Sequence, residues 1–393
     1  SSFPVHTNTT AEYFQVGDDM FPVLVRELEQ AEHYIYIEYF IINDGVMWRT
    51  ILDILERKAT EGVDVRLIYD GFGCLTTLPY HYERFLREKG IQCQVFNPFR
   101  PLLNIVQNNR DHRKICVIDG KTGFTGGINL ADEYINQKRR FGHWKDTAVI
   151  LKGEAVWNMT VMFLHMWNVI ANSSEPIDHE LHLPHHFHPD SFESDGYVQP
   201  YSDTPLDGEI VGENVYLNII NRARKYVYIC TPYLIIDNEM MTALCLAAKS
   251  GVDVRIMTPG IPDKKIVFLL TQSYYEQLLE QVFIFMNTSQ VSFMQSLSSA
   301  MMKSPSLGQS TWITAVCICI LKMVYGFIKT KLSRTSCLTF RKHSITVIRS
   351  VLISVGTETL SYGPFRVFFA CLHLYSDIHL DEAFYRNSIL RGF

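Results

Sequence analysis

The feature that most constrains this chain is that it repeats itself. Residues 62–68 read GVDVRLI and residues 251–256 read GVDVRI. Upstream of each stands a tyrosine-rich segment, YIYIEYFII at 34–42 and YVYICTPYLII from 226 to 236. These segments are dense in β-branched and aromatic residues, as buried strands are, and residues 49–60 between the first pair carry apolar side chains at helical spacing. An ordered strand, helix and second strand met twice points to a duplicated α/β unit rather than to two strands of similar composition. The fold class that follows is α/β, a sheet covered by helices in each of two similar halves. A His- and Pro-rich stretch at 179–205 is the expected linker, which gives a first half at 1–178 and the start of a second at 206–281.

At 393 residues each half is large enough to bury its own core. An apolar content of 47% excludes a disordered chain, and a formal charge of −5 argues against a general nucleic-acid binder. Nine Cys without CxxC spacing suggest neither a zinc site nor a disulfide framework, hence a reducing or cysteine-indifferent compartment. His143, His179, His182, His185, His186 and His188 lack zinc-ligand spacing and are expected in a linker loop, with no metal. Trp144 and Trp167 suit packing. The chain opens on Ser1 without a long apolar run, as a fragment or a processed end would.

Chemistry concentrates at residues 109–134, NRDHRKICVIDGKTGFTGGINLADEY. His112, Lys114 and Asp119 form HxKx4D around a strand-like run, and residues two apart on a strand share a face, so His112 and Lys114 should project into one cleft. An imidazole beside a fixed cation suits a phosphodiester: Lys114 holds a non-bridging oxygen while His112 attacks phosphorus or protonates a leaving alkoxide. Gly126 and Gly127 allow close backbone approach, and the Asn129 amide can donate to phosphate.

This segment resembles the first HKD motif of the phospholipase D superfamily. The flanks EYFIINDGVMW, TLPYHYERFLREKGI, FNPFRP and RFGHWKDTAVILKGEAV are similar to bacterial cardiolipin synthases, over about residues 3–280. The resemblance implies a phospholipase D-like fold of two α/β/α halves. It makes His112 and Lys114 catalytic, Asn129 with Gly126 and Gly127 substrate-binding, and Asp146 the carboxylate that orients the histidine. Asp119, the third member of the motif, is expected to fix the strand and turn, and Glu38 and Tyr39 to line or support the cleft. The implied reaction is transfer of a phosphatidyl group between two phosphatidylglycerol molecules through a phosphohistidine, giving cardiolipin and glycerol, with no metal or cofactor. Partners would be phosphatidylglycerol and membrane phospholipid, with no nucleic acid. The location would be the cell membrane, peripheral or on its cytoplasmic face, because the apolar N-terminal helices usual in these enzymes are absent from this sequence. Hydrolysis of phospholipid with water as acceptor is the alternative, and oligomeric state stays open.

The superfamily builds one site from two HKD motifs, yet no second HxKx4D follows Gly251. From Val282 the chain is Ser/Met-rich with no helical or strand period. A reading frame entered one base late accounts for this. In such a frame Met286–Asn287 conceals Glu, Met294–Gln295 conceals Ala, Met301–Met302 conceals Asp, Lys303 then conceals Glu, Trp312–Ile313 conceals Asp and Met323–Val324 conceals Gly. Under Met294 only His or Tyr is possible, and under Ser296 Lys is one of four options. Family residues chosen where permitted spell HAKSFVCD, an HxKx4D. Residues 282–393 are then an out-of-frame tail, the apolar stretch 312–328 is no membrane anchor, and the second half is truncated. The chain as written would be an inactive remnant, unless two copies pair their single motifs.

Overall fold

The computed structural model describes residues 3–98, 110–139, 142–173, 177–178, 180–187, 191–192, 196–202, 211–259, 265–279, 284–288, 291–293, 297–303, 310–317 and 323–328. His179, His188 and residues 329–393 of the expected tail lie outside them.

In chain order the first half runs β1 (Thr9–Phe14), α1 (Gly17–Glu29), β2 (Tyr34–Tyr39), α2 (Val46–Thr60), β3 (Asp64–Asp70), α3 (Tyr82–Glu88), β4 (Gln92–Phe96), β5 (Lys114–Ile118), β6 (Thr122–Gly126), β7 (His143–Lys145), β8 (Ala148–Gly153) and α4 (Val156–Ala171). After α5 (Pro184–Phe187) come β9 (Tyr197–Ser202), α6 (Val211–Arg222), β10 (Ala223–Cys230), α7 (Asn238–Lys249), β11 (Asp253–Pro259), α8 (Lys265–Ser273), α9 (Tyr275–Leu279), β12 (Ile284–Thr288), β13 (Val291–Phe293), β14 (Leu297–Lys303), β15 (Ser310–Cys317) and β16 (Met323–Ile328).

The GVDVR repeat has a local physical cause. Gly62 and Gly251 follow α2 and α7 at φ +95 and +85, a left-handed conformation that costs glycine little. Each helix then closes the same way: Val63 N–H donates to Lys58 O at 3.0 Å and Val252 N–H to Ala247 O at 3.1 Å. The valines enter the core, and the acid accepts from a tyrosine on the neighbouring strand. Tyr36 Oη donates to Asp64 at 3.0 Å, and Tyr228 Oη to Asp253 at 2.8 Å. Arg66 and Arg255 each pair with that acid and lie 5.2 Å from the centroid of that tyrosine's ring. The stacked pairs Tyr34–Tyr36 and Tyr226–Tyr228 have the same 4.5 Å ring separation.

Two seven-stranded sheets result, ordered β4-β3-β2-β5-β6-β8-β1 and β12-β11-β10-β14-β15-β16-β9. Strand for strand they match, with β2, β3, β4 and β10, β11, β12 parallel and every other pairing antiparallel. The mixed α/β architecture of two similar halves expected from the repeat is therefore present. Two details differ from the sequence reading. β9 lies inside the stretch read as linker and is the counterpart of β1. Residues beyond 281, read as without strand period, form strands β12 to β16: ladder hydrogen bonds are made by backbone whatever the side chains, and residues 312–328 are rich in β-branched and aromatic types.

One core packs α1 and α2 on Ile35, Ile37, Val65 and Leu67. A second lies between the halves, where Tyr34, Tyr36 and Val117 meet Met159 and Phe163 of α4 and Val198, Tyr226 and Tyr228 of the second half. A short parallel pair, β13 on β7, also ties the halves together. Among the described residues no helix is long and apolar enough to cross a membrane.

Candidate active site

The site forms where β5 begins. β5 pairs antiparallel with β2 from Ile35↔Ile118 to Tyr39↔Lys114, and the ladder stops there. His112 is therefore not a strand residue, as its spacing suggested, but lies in the segment leading into β5. That segment leaves the ladder because Asp111 N–H is taken by Asp70 Oδ2 at 3.0 Å and the Arg113 side chain turns to Glu38 and Asp111. His112 and Lys114 nevertheless meet. Lys114 Nζ lies 3.2 Å from His112 Nδ1 and donates to His112 O at 2.7 Å. Phe40 walls the pair, its ring centroid 4.6 Å from the imidazole and 5.4 Å from the ammonium.

Lys114 is only 1% exposed, so its charge is poorly screened and available to an anion that enters. An ammonium has no acceptor, so Lys114 donates in both contacts and a neutral His112 ring keeps its proton on Nε2. In that state Nε2 is a proton donor. A phosphate oxygen competing for Lys114 would release Nδ1, and a proton moving to Nδ1 would leave Nε2 a nucleophile.

Gly126, Gly127 and Asn129 follow on β6 and its exit. A β-carbon on Gly127 would fall 1.9 Å from Asp146 Oδ1, and one on Gly126 2.3 Å from Thr147 O. The glycine pair thus lets Asp146 close on the β6 end, with Gly127 N–H donating to Thr147 O at 2.9 Å. Asn129 is buried, accepts from Ile41 N–H at 3.0 Å and donates to Tyr134 Oη at 2.7 Å. Those bonds orient the amide, whose Nδ2 carries a second N–H of the kind a phosphate oxygen takes.

Asp146 is wholly buried between β7 and β8. Oδ1 accepts from Thr147 N–H at 2.8 Å, while Oδ2 makes no hydrogen bond of standard geometry among the described residues. Burial pushes its pKa well above the usual carboxylate range, against the pull of Thr147 N–H, the Lys114 charge and the Trp144 indole. Asp119 is elsewhere, at the opposite end of β5 from Lys114. Its carboxylate accepts from the N–H groups of Glu32, His33 and Tyr34 at 2.8–2.9 Å and fixes the entry to β2.

The structure brings in residues the sequence did not single out. Phe40 lies one step past the strand acid and its tyrosine, and only its neighbours marked it. Asp70, Asp111 and Arg113 are buried charges beside His112; the signal for Asp111 and Arg113 was the density of ionisable residues in RDHRK within an apolar setting, and Asp70 at the end of β3 had none. His182, expected in a free loop, is instead 3.2 Å from Tyr36 Oη, and burial lowers its pKa. Among the described residues no group of His, Cys, Asp and Glu could hold a metal ion.

The family model for the cardiolipin synthase, phospholipase D-like domain matches residues 24–167 and 216–298. An uncharacterized protein of Streptococcus mutans is 52% identical over 278 residues, which are 71% of this chain and 59% of that protein. Cardiolipin synthases of Alkalihalophilus pseudofirmus and Listeria monocytogenes are 37% and 36% identical over 70% of this chain and 54% and 57% of their own lengths. The matched region thus spans little more than half of these relatives. In fold, the chain is similar to phosphatidylserine synthase of Haemophilus influenzae, with a TM-score of 0.64 at 12% identity over 88% of each chain. Polyphosphate kinase of Porphyromonas gingivalis follows at 0.52 and 12% identity, over 85% of this chain and 50% of that one.

Proposed function

The chain belongs to the cardiolipin synthase, phospholipase D-like domain family, and on that premise we propose that His112 and Lys114 are the first-half contribution to a site for phosphatidyl transfer between two phosphatidylglycerol molecules. The observation that carries the reading is the buried Lys114 ammonium held 3.2 Å from His112 Nδ1, in the family's HxKx4D. In the first step a histidine nitrogen bonds to phosphorus as the bond to the glycerol oxygen breaks, and that oxygen takes a proton from a second acid. In the next step a hydroxyl of the second phosphatidylglycerol gives its proton to the same group and displaces the histidine, leaving cardiolipin. Lys114 and Asn129 would hold the phosphoryl oxygens, where fixed donors count most in the transition state. Peripheral association with a phospholipid surface is part of the proposal.

The second acid is the difficulty, and two features support a lost second motif. β14 lies on β10 as β5 lies on β2, since Tyr228 pairs with Ser299 where Tyr36 pairs with Val117. Counted on from that register, Met294, Ser296 and Met301 take the sequence places of His112, Lys114 and Asp119. In the β13 and β7 pair, Phe293 is opposite Lys145, the residue that precedes Asp146. A buried carboxylate oxygen that makes no hydrogen bond of standard geometry among the described residues is what remains when a basic group that should face it is missing. These features favour the shifted frame after about Glu280 and an inactive chain as written.

The test is a chain with the frame restored after Glu280, mixed with phosphatidylglycerol vesicles. Cardiolipin and free glycerol in equal amounts, both abolished by His112→Ala, are expected. Phosphatidic acid in place of cardiolipin would move the function to hydrolysis, and no product from the restored chain would overturn the proposal.

A further inference from the structure

Behind His112 lies a cluster of charged side chains that the phosphate chemistry does not use. Glu38, Asp111 and Arg113 are 0%, 1% and 6% exposed. Arg113 Nη2 is 2.8 Å from Glu38 Oε1, and Arg113 Nε donates to Asp111 Oδ1 at 2.9 Å. Asp111 and Arg113 are the two neighbours of His112 in the chain, so whatever holds them holds the backbone on either side of the imidazole. Glu38 and Arg113 face the core between the halves, beside Tyr36, while Tyr39 and Lys114 form the last pair of the β2 and β5 ladder.

Two acids and one guanidinium cannot all be charged here without burying a net negative charge, which costs far more than the pair with Arg113 returns. The proton has an evident owner. Asp111 receives the Arg113 Nε–H, whereas neither Glu38 oxygen makes a hydrogen bond of standard geometry to a nitrogen donor among the described residues, and its carboxyl lies against Asp111. Burial and the Asp111 charge raise the Glu38 pKa well above the usual range, while Arg113 and the Glu38 carboxyl hold Asp111 below it despite its burial. The next charged groups outward are Asp70, pushed up to about 6 by burial, and Arg110, whose Nη1 is 3.9 Å from Asp70 Oδ1. In the second half Cys230 stands where Glu38 stands, so the cluster belongs to the His112 half alone.

We propose that Glu38 is held as a neutral carboxylic acid sharing its proton with Asp111, and that the resulting neutral Glu38–Asp111–Arg113 cluster is a positioning device that sets the His112 backbone so that the ring meets Lys114. Its relevance to catalysis rests on the reading of His112 as a phosphoryl acceptor, but its existence does not. Two measurements on the full chain test it without turnover. The infrared spectrum at neutral pH should contain the carbonyl stretch of a protonated carboxylic acid, lost in Glu38→Gln. The His112 ring, followed by NMR of histidine-labelled protein with His112→Ala for assignment, should titrate in Glu38→Gln as in the parent, because the amide keeps a donor toward Asp111. In Arg113→Met the ring should titrate differently and lose its dependence on Lys114→Met, with Arg113→Lys restoring part of the parent behaviour. If Arg113→Met does not fold, Arg113→Lys and Glu38→Ala carry the comparison. Absence of the Glu38-dependent carbonyl band would overturn the neutral acid, and a His112 titration indifferent to Arg113 and Glu38 would overturn the positioning role. Both outcomes are independent of whether a frame-restored chain makes cardiolipin.

Discussion

Asp119 shows how a motif letter can be carried by structure. About 16 Å separates it from Lys114 at 3.3 Å per strand residue, and its φ of +50 and three accepted N–H bonds place it in a turn. Asp119→Ala should cost on the order of 3 kcal/mol in chemical denaturation, since it strands three backbone donors and strains the turn, while the His112 NMR signal stays where it was. Gly127→Ala should cost about as much by driving its methyl into the Asp146 carboxylate. Asp146 itself makes a pH prediction. Its folded pKa is above the unfolded value, so the stability it lends is complete below the unfolded pKa and lost as pH rises through the folded one. Thermal unfolding from pH 5 to 8 should therefore show a fall in Tm for the parent chain that is smaller in Asp146→Asn. His112, Lys114 and the glycine pair were legible in the sequence because the motif's spacing and its small residues are local facts. The surroundings of His112 were legible only in Glu38, because Phe40 and Asp70 come from the ends of β2 and β3, far from His112 along the chain.

At the scale of elements the repeat was legible because both copies solve the same local problem, the turn from a helix into a buried strand. The Tyr–Asp–Arg arrangement lets that equivalence be measured. Tyr228→Phe should cost about 1 kcal/mol, the usual net worth of one hydrogen bond, and Tyr36→Phe somewhat more because Tyr36 also contacts His182. Equal or reversed losses in urea unfolding would mean the His182 contact adds nothing. The strands beyond residue 281 were not legible, since a period-two pattern reports the side chains a sheet buries, whereas a ladder is made by backbone. β9 was hidden for a related reason: Tyr197–Ser202 is short, contains Pro200 and lies at the sheet edge, where proline is tolerated and patterns are weak.

In the whole molecule the two halves pack against each other, and the proposed transfer requires a catalytic group from each. The inter-half core and the β13 and β7 pair, which ends at Phe293 opposite Lys145, bring the second half to the Asp146 end of the first. A double displacement needs both groups, and in sets of residues that act as a unit one loss removes nearly the whole rate enhancement, on the order of 10⁴ or more. The purified chain as written should therefore form no measurable cardiolipin from phosphatidylglycerol vesicles. Met294→His with Ser296→Lys in the same chain is a sharper probe than frame restoration, because it changes only the two of the three register places that correspond to His112 and Lys114. Turnover gained by this pair and lost again on His112→Ala would show that the scaffold still presents both halves. If the pair gains nothing while the frame-restored chain is active, the shifted residues have lost more than the motif. Turnover by the unaltered chain that rises with the square of its concentration would mean instead that two copies join their His112 motifs across a two-fold axis, the remaining route by which one motif per chain can supply two histidines to one phosphorus.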